Sequence, residues 1–153
     1  MTATIAIDAN IIIRYLTGDD KVQSASATEL FRAAQSGKVK LLVPATTIQE
    51  VVYALETYYQ LDAATIAPKL ISLLTIHNVV SPDAGWVVEA LQFYREKNSD
   101  FGDALLCAFA QSVRCEVATF DKGIHKKFSE VNIYTPAGWL AGKSPGKIKG
   151  HQN

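Results

Sequence analysis

The chain has 153 residues, 48% of them apolar and 20% charged, with a formal net charge of zero. This composition excludes a disordered body and suits one domain that buries its own core. It also excludes the overall basic excess of a dedicated duplex-DNA binder, so any nucleic-acid contact needs a local basic patch. Residues 4–7 are short, apolar and largely β-branched, and predict a buried first strand ending at Asp8. Asn10 to Leu16 predicts a short helix stopped by Gly18. Asp19 or Asp20 can cap a second helix, which runs to about Ser36 and ends at Gly37. Residues 40–43 predict a second strand, closed by Pro44. Thr46 or Thr47 can cap a third helix reaching about Tyr59, and Glu50 follows Thr47 at capping-box spacing. Tyr53, Tyr58, Tyr59 and Trp86 recur at helical spacings, with core packing as their default.

A fourth helix opens at Asp62 and runs through Leu74, with Pro68 implying a kink or a late start. Residues 78–80 predict a third strand. Ser81-Pro82-Asp83 starts a fifth helix ending near Lys97, and a turn over 98–101 leads to an apolar sixth helix, 102–113. Residues 116–119 predict a fourth strand, followed by Asp121 and a short basic helical turn. Residues 132–134 predict a last strand before Pro136. Short apolar strands alternating with helices define the fold class as α/β, an α/β/α sandwich around a mostly parallel sheet of four or five strands. Residues 1–141 read as a single domain. Residues 142–153 read as a flexible basic tail, with Lys143, Lys147 and Lys149 serving solubility.

Cys107 lies in the apolar run Leu105–Phe109 and reads as a small core residue. No CxxC or Cys/His cluster points to zinc. The beginning of the chain lacks a basic segment followed by an apolar one, and no apolar run is long enough to cross a membrane. The expected setting is the cytoplasm.

In open α/β sheets, ligands bind beyond the carboxyl ends of the strands. Asp8 and Asp121 fall at such ends, Glu50 begins the helix after the second strand, and Asp100 and Asp103 begin the sixth helix. These acids can converge on one sheet edge. Hard divalent ions such as Mg²⁺ and Mn²⁺ take oxygen ligands, activate water and clamp phosphate oxygens. Two carboxylates about 5 Å apart repel by about 3 kcal/mol at an effective dielectric near 20, so such a cluster calls for a cation or a shared proton. Each residue taken singly has a second reading. Asp8, Asp100 and Asp103 can be helix caps or first-turn acids, Glu50 a capping-box partner, and Asp121-Lys122-Gly123 a turn.

Together these segments resemble the PIN-domain family. Ile5–Leu16 resembles its opening, a hydrophobic strand, Asp-x-Asn and a helix. Arg14–Asp20 is similar to a stretch common in VapC-like toxins. Ile48–Leu55 resembles the second motif, Asp100–Ala108 the third and Ala118–Lys122 the fourth, while Tyr134–Leu140 resembles the usual ending. The resemblance covers residues 4–141. It implies a PIN fold, Mg²⁺ or Mn²⁺ dependence, cleavage of single-stranded RNA, a homodimer and an antitoxin partner.

Carried over by position, the resemblance makes Asp8, Glu50, Asp103 and Asp121 the catalytic quartet. Asp8, Asp103 and Asp121 are its expected metal ligands, and Glu50 acts directly or through water. Asp100 is an auxiliary acid, and Asn10 and Thr119 hydrogen-bond around the ligands. Arg14, Lys122, Lys126 and Lys127 flank the site in sequence and are candidate phosphate contacts, alongside their reading as solvated surface. The implied reaction is hydrolysis by activated water, leaving a 5′-phosphate and a 3′-hydroxyl. The alternatives are a metal-dependent DNA nuclease or phosphatase, and a degenerate PIN domain that only binds RNA or protein.

Overall fold

The computed structural model describes residues 2–142, 144 and 145. Most of the expected basic tail, including Lys143, Lys147 and Lys149, lies outside the described residues. The chain forms two compact units, residues 1–88 and 89–153.

The first unit runs β1 (Ala3–Ala6), α1 (Ala9–Thr17), α2 (Lys21–Gln35), β2 (Val39–Leu42), α3 (Ala45–Thr57), α4 (Ala63–Leu73) and β3 (Val79–Val80), and the boundary falls within α5 (Ala84–Lys97). Its ladder has the order β1-β2-β3, with both pairs parallel. The register sets Ile5 against Leu41 and Leu41 against Val79. The central strand is buried through Val39 and Leu41, and β3 through Val79. Helix α1 packs on α2 and α3, and Ile12, Phe31, Ile48, Val51 and Leu55 are buried. Burying each such large apolar side chain contributes about 1.5–3 kcal/mol relative to leaving it in water. Tyr15 stacks on Phe31 with ring centroids 4.2 Å apart.

Most helix starts follow from side-chain acceptors. Asp8 caps α1, Asp20 caps α2 and Asp62 caps α4, each accepting a backbone N–H of the first turn. Gly18, at φ 67°, closes α1 in the left-handed conformation expected of it.

Four sequence expectations need correcting here. β1 is exposed, not buried, because it is an edge strand of its ladder and burial begins only at Ile7. The capping box at Thr47 and Glu50 does not form. Helix α3 starts earlier, after Pro44, with no side-chain cap, and Thr47 turns inward, donating to the Ile7 carbonyl at 3.4 Å. Tyr53 and Tyr58 are 61% and 74% exposed rather than core, because the buried face of α3 is filled by Ile48, Val51, Val52 and Leu55. Helix α4 begins at Ala63 and continues through Pro68, so the late start is excluded.

The second unit holds α6 (Phe101–Ser112), β4 (Val117–Ala118), α7 (Lys122–Lys127), β5 (Ile133–Tyr134) and α8 (Pro136–Leu140), along with the end of α5. β4 pairs with β5 in parallel, Val117 against Ile133. Among the described residues, the strands are therefore parallel in every pair, in ladders of three and two. Phe93 meets Phe128 edge-on at 5.5 Å, and Tyr94 meets Phe101 at 5.3 Å. Lys97 lies over Phe93 and Phe128 and pairs with Glu130 at 2.7 Å. Helix α8 has no counterpart among the sequence expectations. Thr135 accepts from Gly138 N at 2.9 Å, and Pro136 takes the first helical position.

Candidate acidic active site

In the first unit, Asp8 caps α1, its Oδ1 accepting from Ile11 N at 3.2 Å. That bond occupies one oxygen and fixes the carboxylate. The other oxygen has no hydrogen-bond partner among the described residues, so cap and ligand roles are compatible. Asp8 lines a groove of about 540 Å³ with Asn10, Arg14, Val22 and Gln23. Glu50 lies exposed on the second turn of α3. It lines a second groove of about 660 Å³ with Asn10, Gln49, Tyr53 and Tyr58. Asn10 is common to both grooves.

Arg14 is held by partners that sequence reasoning missed. Its Nη1 lies 3.0 Å from Asp19 Oδ1, and its Nε donates to Gln23 at 2.7 Å. Tyr59 and Thr17 also donate to Asp19. The hydrogen bonds from Tyr59 and Thr17, followed by the Arg14 charge, keep the Asp19 carboxyl below its ordinary value. Arg14 Nη1 also donates to the Tyr59 hydroxyl at 3.5 Å.

The second unit concentrates its acids. Asp100 caps α6, its Oδ1 accepting from Gly102 N at 2.8 Å and Asp103 N at 3.3 Å. Asp103, in the first turn of α6, has its carboxyl pushed up, first by burial and then by the charges of Asp100 and Asp121, with Lys127 opposing. Asp121 caps α7, accepting from Gly123 N at 2.7 Å. Its own N–H donates to Thr119 Oγ1 at 3.0 Å, so Thr119 orients the turn that carries it. A Cβ on Gly123 would lie 3.0 Å from Asp121 Oδ1, so glycine is what lets the carboxylate close over the helix start. Lys122 and Lys126 are exposed on α7, and Lys127 donates to the Asn98 carbonyl at 2.7 Å. Cys107 is buried as expected, its thiol pushed up to about 11 by burial and then by Asp103 and Glu130.

The donor chemistry fits a hard divalent ion. Every candidate is a carboxylate oxygen, and Asp103 carries an electrostatic strain that a cation would relieve. Among the described residues, no three Asp, Glu, His or Cys side chains lie together in a group that could hold an ion. Mg²⁺ is commonly held by one or two carboxylates, with water and substrate phosphate completing the octahedron.

Phe120, which enters the sequence reading only as part of a motif, is 83% exposed between Thr119 and Asp121. Nothing in the residue string marks its exposure, because an aromatic after a strand reads equally well as core.

The sequence model of the PIN domain matches residues 5–130. The chain belongs to the PIN-domain family, whose members are generally nucleases. No curated protein matches it. Among solved structures it is similar to a toxin–antitoxin complex from Klebsiella pneumoniae, at 18% identity over 85% of this chain and 95% of that one, with a TM-score of 0.30. It is also similar to VapBC2 from Rickettsia felis bound to a promoter DNA fragment, at 12% identity over 85% and 96%, with a TM-score of 0.30. A Pyrobaculum aerophilum protein aligns at 17% identity over 92% and 88%, with a TM-score of 0.32. At these values the family assignment rests on the sequence match. Among the described residues, no helix is long and apolar enough to cross a membrane.

Proposed function

We propose that the chain is a metal-dependent endoribonuclease, the toxin of a VapBC-type toxin–antitoxin pair, acting in the cytoplasm as a homodimer restrained by its antitoxin. The observation that carries the enzymatic reading is Asp103, a part-buried carboxyl in the first turn of α6 that feels the charges of Asp100, which caps α6, and of Asp121, which caps α7. A fold gains no stability from such crowding, but a cation site does.

Asp8, Asp103 and Asp121 are the proposed ligands for Mg²⁺ or Mn²⁺, with Glu50 acting directly or through water. When bound, the ion supplies the positive charge that polarises phosphate oxygens and activates the attacking water. The protein's own contribution is placement. Backbone N–H groups fix one oxygen each of Asp8 and Asp121, and Thr119 fixes the turn that carries Asp121. Asn10, which lines both the Asp8 groove and the Glu50 groove, is the proposed hydrogen-bonder beside Asp8 and Glu50, and Asp100 is the auxiliary acid beside Asp103. Lys122, Lys126 and Arg14 are the proposed phosphate contacts, supplying attraction that the carboxylates cannot. The toxin assignment rests on the resemblance of Arg14–Asp20 to a stretch common in VapC-like toxins.

The test is cleavage of single-stranded RNA with Mg²⁺ or Mn²⁺, compared with DNA and small phosphate esters. The expected products carry a 5′-phosphate and a 3′-hydroxyl. A 2′,3′-cyclic phosphate would show that the RNA's own 2′-hydroxyl attacks and would overturn the mechanism. For the toxin role, co-expression with a small open reading frame immediately upstream should relieve growth arrest.

A further inference from the structure

Phe120 presents a large aromatic ring to water beside a candidate catalytic carboxylate, and it is pinned there from both sides. Thr119 N donates to the Tyr134 carbonyl at 2.9 Å, extending the β4–β5 ladder up to the residue before it. On the other side, Asp121 N donates to Thr119 Oγ1, and Asp121 Oδ1 accepts from Gly123 N. The backbone on either side of Phe120 thus has little slack with which to turn the ring inward. The apolar demand of the neighbouring helix is already met by the buried Ile124 and Phe128. The same short segment carries Lys122 and Lys126 in exposed positions.

We infer that Phe120 is a base-stacking platform, taking the face of an unpaired nucleotide of the RNA beside the Asp121 carboxylate, with Lys122 and Lys126 on the flanking phosphates. The inference rests on the proposed ribonuclease function and deepens it. An acidic site repels the backbone of its own substrate, so affinity must come from contacts that carry no negative charge. A base face is uncharged, every base has one, and an aromatic ring beside lysines is the usual means of holding a single strand without reading its sequence. A duplex has no free base face, so the platform also selects single-stranded substrate.

The test is binding of a fluorescein-labelled oligoadenylate to the full chain carrying Asp103→Asn, so that binding is measured without cleavage. Phe120→Ala should weaken the Kd by about tenfold to a hundredfold, the range expected for losing one stacked base. Phe120→Leu should lose nearly as much, because it keeps apolar area but not the ring face. Phe120→Trp should retain affinity, and its added emission should be quenched by the oligonucleotide. An exposed side chain can be replaced without unfolding the protein, and an unchanged melting temperature should accompany all three variants. Wild-type affinity in Phe120→Ala or Phe120→Leu overturns the inference. So does unchanged affinity with an altered sedimentation coefficient, which would place the ring in a contact between two copies of the chain. Absence of RNA cleavage by the unsubstituted protein would instead overturn the ribonuclease reading itself, whereas cleavage with an indifferent Phe120 removes only the platform.

Discussion

Asp8 and Glu50, in the first unit, line different grooves. One caps α1, and the other sits exposed in the second turn of α3, which has no side-chain cap. In the second unit, the Asp103 carboxyl is raised first by its partial burial and then by the charges of Asp100 and Asp121. The comparison separates two ways of building an acidic site. In one, each carboxylate is an ordinary local feature whose chemistry costs the fold nothing. In the other, charges are crowded at a cost that only a bound cation or a proton offsets.

The sharpest way to test that difference is Asp103→Asn. Removing a ligand should cost several kcal/mol of transition-state stabilisation, about a thousandfold in rate. With chelator at neutral pH, the melting temperature should hold or rise slightly, because a repelled charge is gone. A large loss of metal-free stability would make Asp103 a structural first-turn acid and erase the contrast.

Asp8 divides differently. Asp8→Asn keeps the N-cap and should leave stability within about 0.5 kcal/mol, while Asp8→Ala should lose about 1 kcal/mol. Both should lose most RNA cleavage. Equal activity in the Asp8→Asn variant and the wild-type protein would reduce Asp8 to a cap. Glu50→Gln should depress activity with stability unchanged within about 0.5 kcal/mol, since no capping box exists for it to break.

Gly123→Ala should have a smaller effect. The new methyl must push Asp121 Oδ1 back by a few tenths of an ångström, and a reduction of about fivefold in kcat is expected from that misplacement.

The acid titration should show the smallest effect, and its sign differs between the units. Asp19 and Asp62 lie below their ordinary value of 3.8, Asp19 chiefly through the hydrogen bond from Tyr59 and Asp62 through that from Thr65. Folding therefore favours their ionised forms. Their stabilisation is complete above that pH and is lost as pH falls through their folded values. Asp103 is raised, so folding favours its protonated form, and that contribution is present below 3.8 and lost as pH rises through its folded value. In urea titrations without metal, Asp62→Ala should flatten the acid arm and Asp103→Asn the arm just above it. Identical profiles for the two variants would contradict the contrast.

Element order was readable where a start or stop has a local cause. Asp20 and Asp62 mark helix starts, and Gly18 marks a stop. Other ends carried no such mark. Gln60, Asn98 and Arg114 adopt left-handed φ of 55°, 50° and 59° after α3, α5 and α6, where a glycine would have signalled the stop. Thr47 misled because a hydroxyl before an apolar run looks the same whether it caps its own helix or reaches the Ile7 carbonyl.

What the sequence determined by itself is the set of acids, their positions at strand ends and helix starts, and the family that such an order defines, because capping and turn chemistry act over three or four residues. The tertiary structure decided which acids feel one another, that Glu50 is free of any capping duty, that Arg14 is clamped by Asp19 and Gln23, and that Phe120 faces water. Charge crowding, pairing and exposure depend on residues far apart in the chain, and no local pattern encodes them.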